Sequence, residues 1–276
     1  MIFFDVHTHY GFANDDQFEN LLLDTCQKNN IQRVCVMGIG RKRDAPSETK
    51  PGLTKDSFKW GVNNEEVIGL AADHPKLVIP IAFFRLDYDN PSLVDDLGFK
   101  GFKGIKFLWP RYNYDDERYF LVYEKAAANG MIVYFHTGPI NGAPRERTIR
   151  TTMSRMKVEY LEAIARTFPD LRVLACHFGY PDYEIACALA RILPNLYIDI
   201  STGGPPAAPS VMREDIFKRQ LIGNLVPIEK LVFGSDCILE NVAEQIKLWD
   251  ELFRKLGLPE NERELIFHKN AADLFK

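Results

Sequence analysis

Six histidines are distributed unevenly over 276 residues, and two of them stand one residue apart near the start, in Phe4-Asp5-Val6-His7-Thr8-His9. Side chains alternate along an extended chain, so His7 and His9 are expected on one face, together with Phe3 and Asp5. Two neutral imidazole nitrogens aimed at one point suit a divalent metal ion. The plain alternative is a pair of exposed histidines at a strand end. Three more residues of metal-ligating type argue against it, because each closes an apolar run at its C-terminal end. They are His136 after Ile132-Val133-Tyr134-Phe135, His177 after Val173-Leu174-Ala175-Cys176, and Asp236 after Leu231-Val232-Phe233-Gly234-Ser235. His74 and His268 fall in helical contexts instead. Cys176 and Cys237 flank two of these residues, and alternation turns their thiols outward, to pack toward the helices.

These side chains need a scaffold that brings several strand ends together. Eight short β-type runs recur along the chain: 2–6, 33–39, 77–83, 101–107, 131–137, 172–176, 196–201 and 230–235. Between them, segments such as 15–28, 65–74, 115–128, 158–168, 183–193 and 242–255 place apolar residues near the helical period. Strand and helix in alternation imply a parallel sheet, and eight repeats with no second composition regime favour a closed (β/α)8 barrel over an open doubly wound sheet. Asn129-Gly130, Phe168-Pro169-Asp170 and Leu193-Pro194-Asn195 stop helices just before strands. The longest connections follow strands, at 40–62, 110–114, 138–157 and 203–210. In this fold such loops build the active site at the C-terminal mouth.

A single barrel domain over residues 1–276 is the expectation. With 46% apolar and 26% charged residues, net charge −4 and no apolar run able to cross a bilayer, neither nucleic acid nor a membrane is an expected partner. The first residues lack the basic flank of a cleaved leader, so a cytoplasmic protein is expected. Five cysteines without a C-x-x-C pair point to buried free thiols. The oligomeric state, a homo-oligomer included, stays open.

Phe4–His9, Gly101–Phe107, Tyr134–Gly138, Ala175–Gly179, Leu196–Ser201, Phe233–Asp236 and the terminal His268–Phe275 together resemble the amidohydrolase superfamily, in particular its branch of aminocarboxymuconate semialdehyde decarboxylase-like and related single-metal enzymes. The resemblance implies a metal-dependent hydrolase of a small, carboxylated substrate at an amide, lactone or ester bond. It also implies one divalent ion, zinc first and manganese or another as alternatives. His7, His9, His136 and Asp236 look like its ligands, with Asp236 also the catalytic proton acceptor. His177 is the second catalytic residue, standing beside the ion to bond water or polarise a carbonyl. Decarboxylation at the same site is the alternative, and a catalytically inactive ligand-binding barrel the rival from another class.

Asp5 is expected to orient a ligand imidazole. Lys106 is open between three roles: a carbamylated bridge between two ions, as in two-metal members of the superfamily, a charged group for an acidic substrate, or a side chain that reaches solvent past the rim. Arg41, Arg43, Arg85, Trp109, Arg111, Arg145, Arg147 and Tyr180 are the candidates for the substrate pocket.

Overall fold

The computed structural model describes residues 1–11, 17–41, 60–139, 151–201, 214, 217–219, 225 and 227–276. Its main sheet has eight parallel strands. In sheet order they are β1 (Phe3–His9), β2 (Ile31–Met37), β5 (Val78–Phe84), β6 (Gly104–Phe107), β7 (Ile132–Phe135), β8 (Arg172–Ala175), β9 (Leu196–Asp199) and β10 (Leu231–Val232). The stretch after β10 closes the ring on β1: Val6 N–H donates to the Phe233 carbonyl at 2.9 Å and Asp236 N–H to the His7 carbonyl at 2.8 Å. The architecture is the expected (β/α)8 barrel. A small antiparallel pair, β3 (Ile39–Arg41) with β4 (Trp60–Val62), brackets the long connection after β2.

Alternation along the strands separates two cores. On β7, on β8 and at Cys176 just after it, Ile132, Tyr134, Leu174 and Cys176 fill the barrel, while Val133, Phe135, Val173 and Ala175 meet the helices. The outer layer consists of α1 (Phe18–Lys28), α2 (Asn64–Asp73), α3 (Leu93–Lys100), α4 (Phe120–Ala128), α5 (Tyr160–Thr167), α6 (Tyr183–Ile192) and α7 (Val242–Lys255). Each presents an apolar stripe at helical spacing, such as Leu161, Ile164 and Ala165 on α5, or Trp249, Leu252 and Phe253 on α7. Burying each large side chain there contributes about 1.5–3 kcal/mol. Helix α3 lies in a stretch the sequence pattern left without an element. It ends at Gly101, whose φ of 104° suits glycine at a helix C-terminus.

The connections at the barrel's base are short and tied down by side chains. The Asn195 amide reaches the carbonyls of Ala165, Phe168 and Leu171 at 2.9–3.1 Å, satisfying groups left over where α5 ends. At the chain's end come α8 (Glu260–Glu264), a π-helical turn (Leu265–Lys269) and α9 (Asn270–Leu274). Ala271 and Leu274 of α9 enter the inner core, and the Phe275 ring stacks on Phe4 at 5.4 Å, plugging the base. All five cysteines are buried and free. Among the described residues, no helix is long and apolar enough to cross a membrane.

Candidate metal centre

The site grows from a fault in β1. Asp5 pairs with Val34 and Thr8 with Val36, so three steps on β1 match two on β2, a β-bulge with one extra residue. Phe4 and Val6 therefore point into the barrel, and beyond the bulge His7 and His9 do so too. Phe3 lies in the outer core against Phe233 and Phe267, which corrects the single face expected from strict alternation. Asp5 is corrected with it. Its carboxylate accepts the backbone N–H of His7 at 3.0 Å and of Ser235 at 2.9 Å, and the Thr8 hydroxyl at 3.1 Å, so it secures the bulge instead of an imidazole.

The imidazole of His7 is held by Asp199, at the end of β9, with Nδ1 2.7 Å from Oδ2. The other oxygen of Asp199 accepts the N–H groups of His177 at 3.2 Å and Ser201 at 2.7 Å, joining three strand ends through one carboxylate. His9 Nδ1 lies 3.1 Å from the Ile39 carbonyl, which can only accept, so Nδ1 carries the proton and Nε2 offers a lone pair. His7 Nε2, His9 Nε2 and Asp236 Oδ1 then converge, with separations of 3.2, 3.1 and 3.5 Å. Ligand atoms about 2.0–2.1 Å from a tetrahedral ion stand about 3.3 Å apart, so this spacing fits a metal.

Two turns complete the mouth. After β8 the chain enters a 3-10 turn in which His177 and Phe178 adopt φ of 59° and 54°, and Asp236 has φ 43°. Such left-handed backbone is rare outside glycine and costs of order 1–3 kcal/mol. Here it re-aims His177 inward although its neighbour Cys176 also faces the barrel, which corrects the outward packing expected for that thiol. Cys237, by contrast, lies in the outer core as expected. His177 Nδ1 is 3.0 Å from Ser201 Oγ and 3.5 Å from Asp236 Oδ2, and its Nε2 is 2.9 Å from His136 Nδ1.

The electrostatics favour a cation at this point. Burial and the Lys106 ammonium oppose charging His7, yet the carboxylates of Asp236 and Asp199 push its imidazole up to about 10. Against the upward pull of burial, His7 holds both of those carboxyls well below the usual range. Burial, with Lys106 next, brings His136 down to about 3. Burial, with His136 next, keeps His177 far below its usual value, so both rings are neutral.

The donor set suits a divalent ion. Two imidazole nitrogens and a carboxylate oxygen converge on one point, and His136 Nε2 is buried with no hydrogen-bond partner among the described residues. His7, His177 and Asp236 also form a group able to share an ion, as do His7, Cys176 and Asp199. His136 and His177 bond each other through one nitrogen each, an arrangement that does not aim both rings at a second ion.

Lys106 faces inward on β6, level with Tyr134 of β7, and is 1% exposed. Two of the expected pocket residues have partners of their own, since Arg85 pairs with Asp89 and Arg111 stacks on Tyr88 at 4.8 Å. Trp109, with φ 58°, meets the Phe83 ring in a T-shaped contact at 5.9 Å, and Tyr180 packs beside Tyr183 at 5.6 Å. Arg41 lies in β3, whereas Arg43, Arg145, Arg147 and the loop 203–206 lie outside the described residues. Sequence reasoning missed Asp199 and Ser201 as site residues. Asp199 carried the available signal, since it too ends an apolar strand.

No curated protein matches the chain. Among solved structures, an uncharacterized TIM-barrel protein from Bordetella bronchiseptica is 18% identical, with a TM-score of 0.69 over 99% of this chain and 98% of that one. Dihydroorotase from Saccharomyces cerevisiae, in complex with 5-fluoroorotic acid, is 12% identical, with a TM-score of 0.65 over 99% and 84%. The 5-carboxyvanillate decarboxylase from Novosphingobium aromaticivorans, complexed with manganese and 4-hydroxy-3-methoxy-5-nitrobenzoic acid, is 10% identical, with a TM-score of 0.61 over 99% and 96%. At these identities the likeness shows the fold. A family model described as Amidohydrolase matches residues 61–276, well over half of the sequence, and the chain belongs to that family.

Proposed function

We propose that the protein is a metal-dependent hydrolase that cleaves an amide, lactone or ester bond in a small, carboxylated molecule. The convergence of His7 Nε2, His9 Nε2 and Asp236 Oδ1 within 3.5 Å carries this reading. These three, with His136, are the residues proposed to hold the ion, zinc in the first instance. When bound, the ion supplies Lewis acidity and lowers the pKa of water from 15.7 toward about 7.

The chain's own groups supply the rest. Asp199 keeps His7 in one tautomer and orientation, as carboxylate partners of ligating imidazoles do. Asp236 keeps one oxygen, Oδ2, on the side of His177, where it can accept a proton and pass it on. The neutral ring of His177, positioned by Ser201 and His136, can polarise a substrate carbonyl or take a proton at Nδ1.

Non-oxidative decarboxylation is the second reading. The manganese-bound decarboxylase among the similar structures supports it, and the same residues would serve it. The test strips the protein with chelator, reloads it with zinc or manganese, and offers lactones, esters and amides alongside carboxylated aromatics. Metal-dependent acid release from the first set supports hydrolysis. Metal-dependent carbon dioxide release from the second replaces it with decarboxylation, and no turnover in either set favours a binding barrel.

A further inference from the structure

Lys106 is a buried side chain with no ion-pair partner among the described residues. Among the described residues no carboxylate lies within the 4.0 Å of an ion pair with its Nζ, although the buried Asp5 and Asp199 and the partly exposed Asp236 stand around the site. All three are engaged elsewhere: Asp5 with His7 N, Ser235 N and Thr8 Oγ1; Asp199 with His7, His177 N and Ser201 N; Asp236 with His7, His9 and His177. Nζ donates to Cys176 Sγ at 2.9 Å and stands 3.3 Å from His7 Nε2. An ammonium has three protons to place and no lone pair. The thiol is a weak acceptor, and His7 Nε2 is the lone pair that a metal ion would take. A charge buried on such terms is costly unless something else accepts its protons.

We propose that Lys106 is the carboxylate anchor of the site, binding the anionic group of the substrate beside the metal position and selecting acids over their neutral analogues. The proposal rests on the reading of His7, His9 and Asp236 as metal ligands, and it names the group that makes the substrate class acidic. Lys106 reaches the mouth because β6 keeps strict alternation. Ile105 and Phe107 turn outward, and Gly104, the inward neighbour below, leaves its space to Ile81 and the Tyr134 ring, since a Cβ there would stand 2.6 Å from the Ile132 carbonyl oxygen. Arg85 and Arg111 are engaged with Asp89 and Tyr88, which leaves Lys106 the described cation that touches a proposed ligand.

The experiment measures binding of benzoate and benzamide, equal in shape and different in charge, to zinc-loaded protein by calorimetry, with zinc content determined on the same samples. The wild type is expected to prefer benzoate by about 10-fold or more, the scale of a charge-assisted hydrogen bond. Lys106→Met should bring the two probes within about twofold while keeping its zinc, and Cys176→Ala, which leaves the ammonium in place, should retain the preference. Should Lys106→Met fail to fold, Lys106→Gln carries the same expectation. Three results overturn the proposal: no preference in the wild type, a preference that survives removal of the lysine, or two zinc ions per chain falling to one without it. Failure of the underlying reading looks different, since a wild-type protein that retains no zinc removes the metal site itself.

Discussion

Asp199 controls more of the site than any single ligand, because its two oxygens fix an imidazole on β1 and two backbone N–H groups, one in the turn after β8 and one just past β9 itself. Replacing it by Ala should weaken zinc binding by about 10–100-fold, the usual cost of losing a partner behind a ligating histidine, measured by competition with a chromophoric chelator. His177→Asn should instead retain zinc and lower kcat by about 100-fold or more, because the ring acts on substrate or water. Loss of zinc in that variant would move His177 into the ligand set. The histidines and Asp236 were legible in the sequence because each closes an apolar run at the end where a barrel gathers its chemistry. Asp199 closes one as well, yet a hydrogen-bonding carboxylate leaves no mark of its partner, which is 192 residues away. Cys176 is corrected because the turn that follows it has two non-glycine residues with positive φ, a geometry the sequence Cys176-His177-Phe178-Gly179 does not announce.

At the scale of the element, the positions of the strands followed from their apolar runs, whereas their local irregularities did not. The β1 bulge arises from pairing with β2, so Phe3 and Asp5 were placed on the wrong face. Helix α3 escaped notice because it has only eight residues, with Gly98 inside and a proline and a glycine at its margins. Gly234 shows how closely the elements meet at the site: a Cβ there would stand 2.7 Å from the His7 Cβ, nearer than such atoms pack. Gly234→Ala should therefore push His7 out of place. The expected outcome is a loss of zinc affinity accompanied by about 1–3 kcal/mol of destabilisation in urea unfolding. At the opposite end, Asn195→Ala should cost about 1–3 kcal/mol by the same measurement without changing zinc binding, because it strips three carbonyls of their donor far from the mouth.

For the whole molecule, eight alternating repeats were enough to anticipate a closed barrel, and the structure adds how its two ends are finished. The base is sealed by the chain's own end, with Leu274 2% exposed inside the inner core and Arg172 donating to the Leu274 carbonyl at 2.6 Å. Leu274→Ala should lower stability by about 2–5 kcal/mol in a denaturant titration and leave the metal site intact. The mouth is finished by polar groups whose lone pairs meet and whose charges call for a cation. Elemental analysis of the dialysed protein, after loading with excess zinc, tests this most directly. Close to one tightly held ion per chain is expected in the wild type and almost none in His7→Ala or His9→Ala; full occupancy in His9→Ala, with the fold intact by circular dichroism, would mean that this imidazole holds no metal.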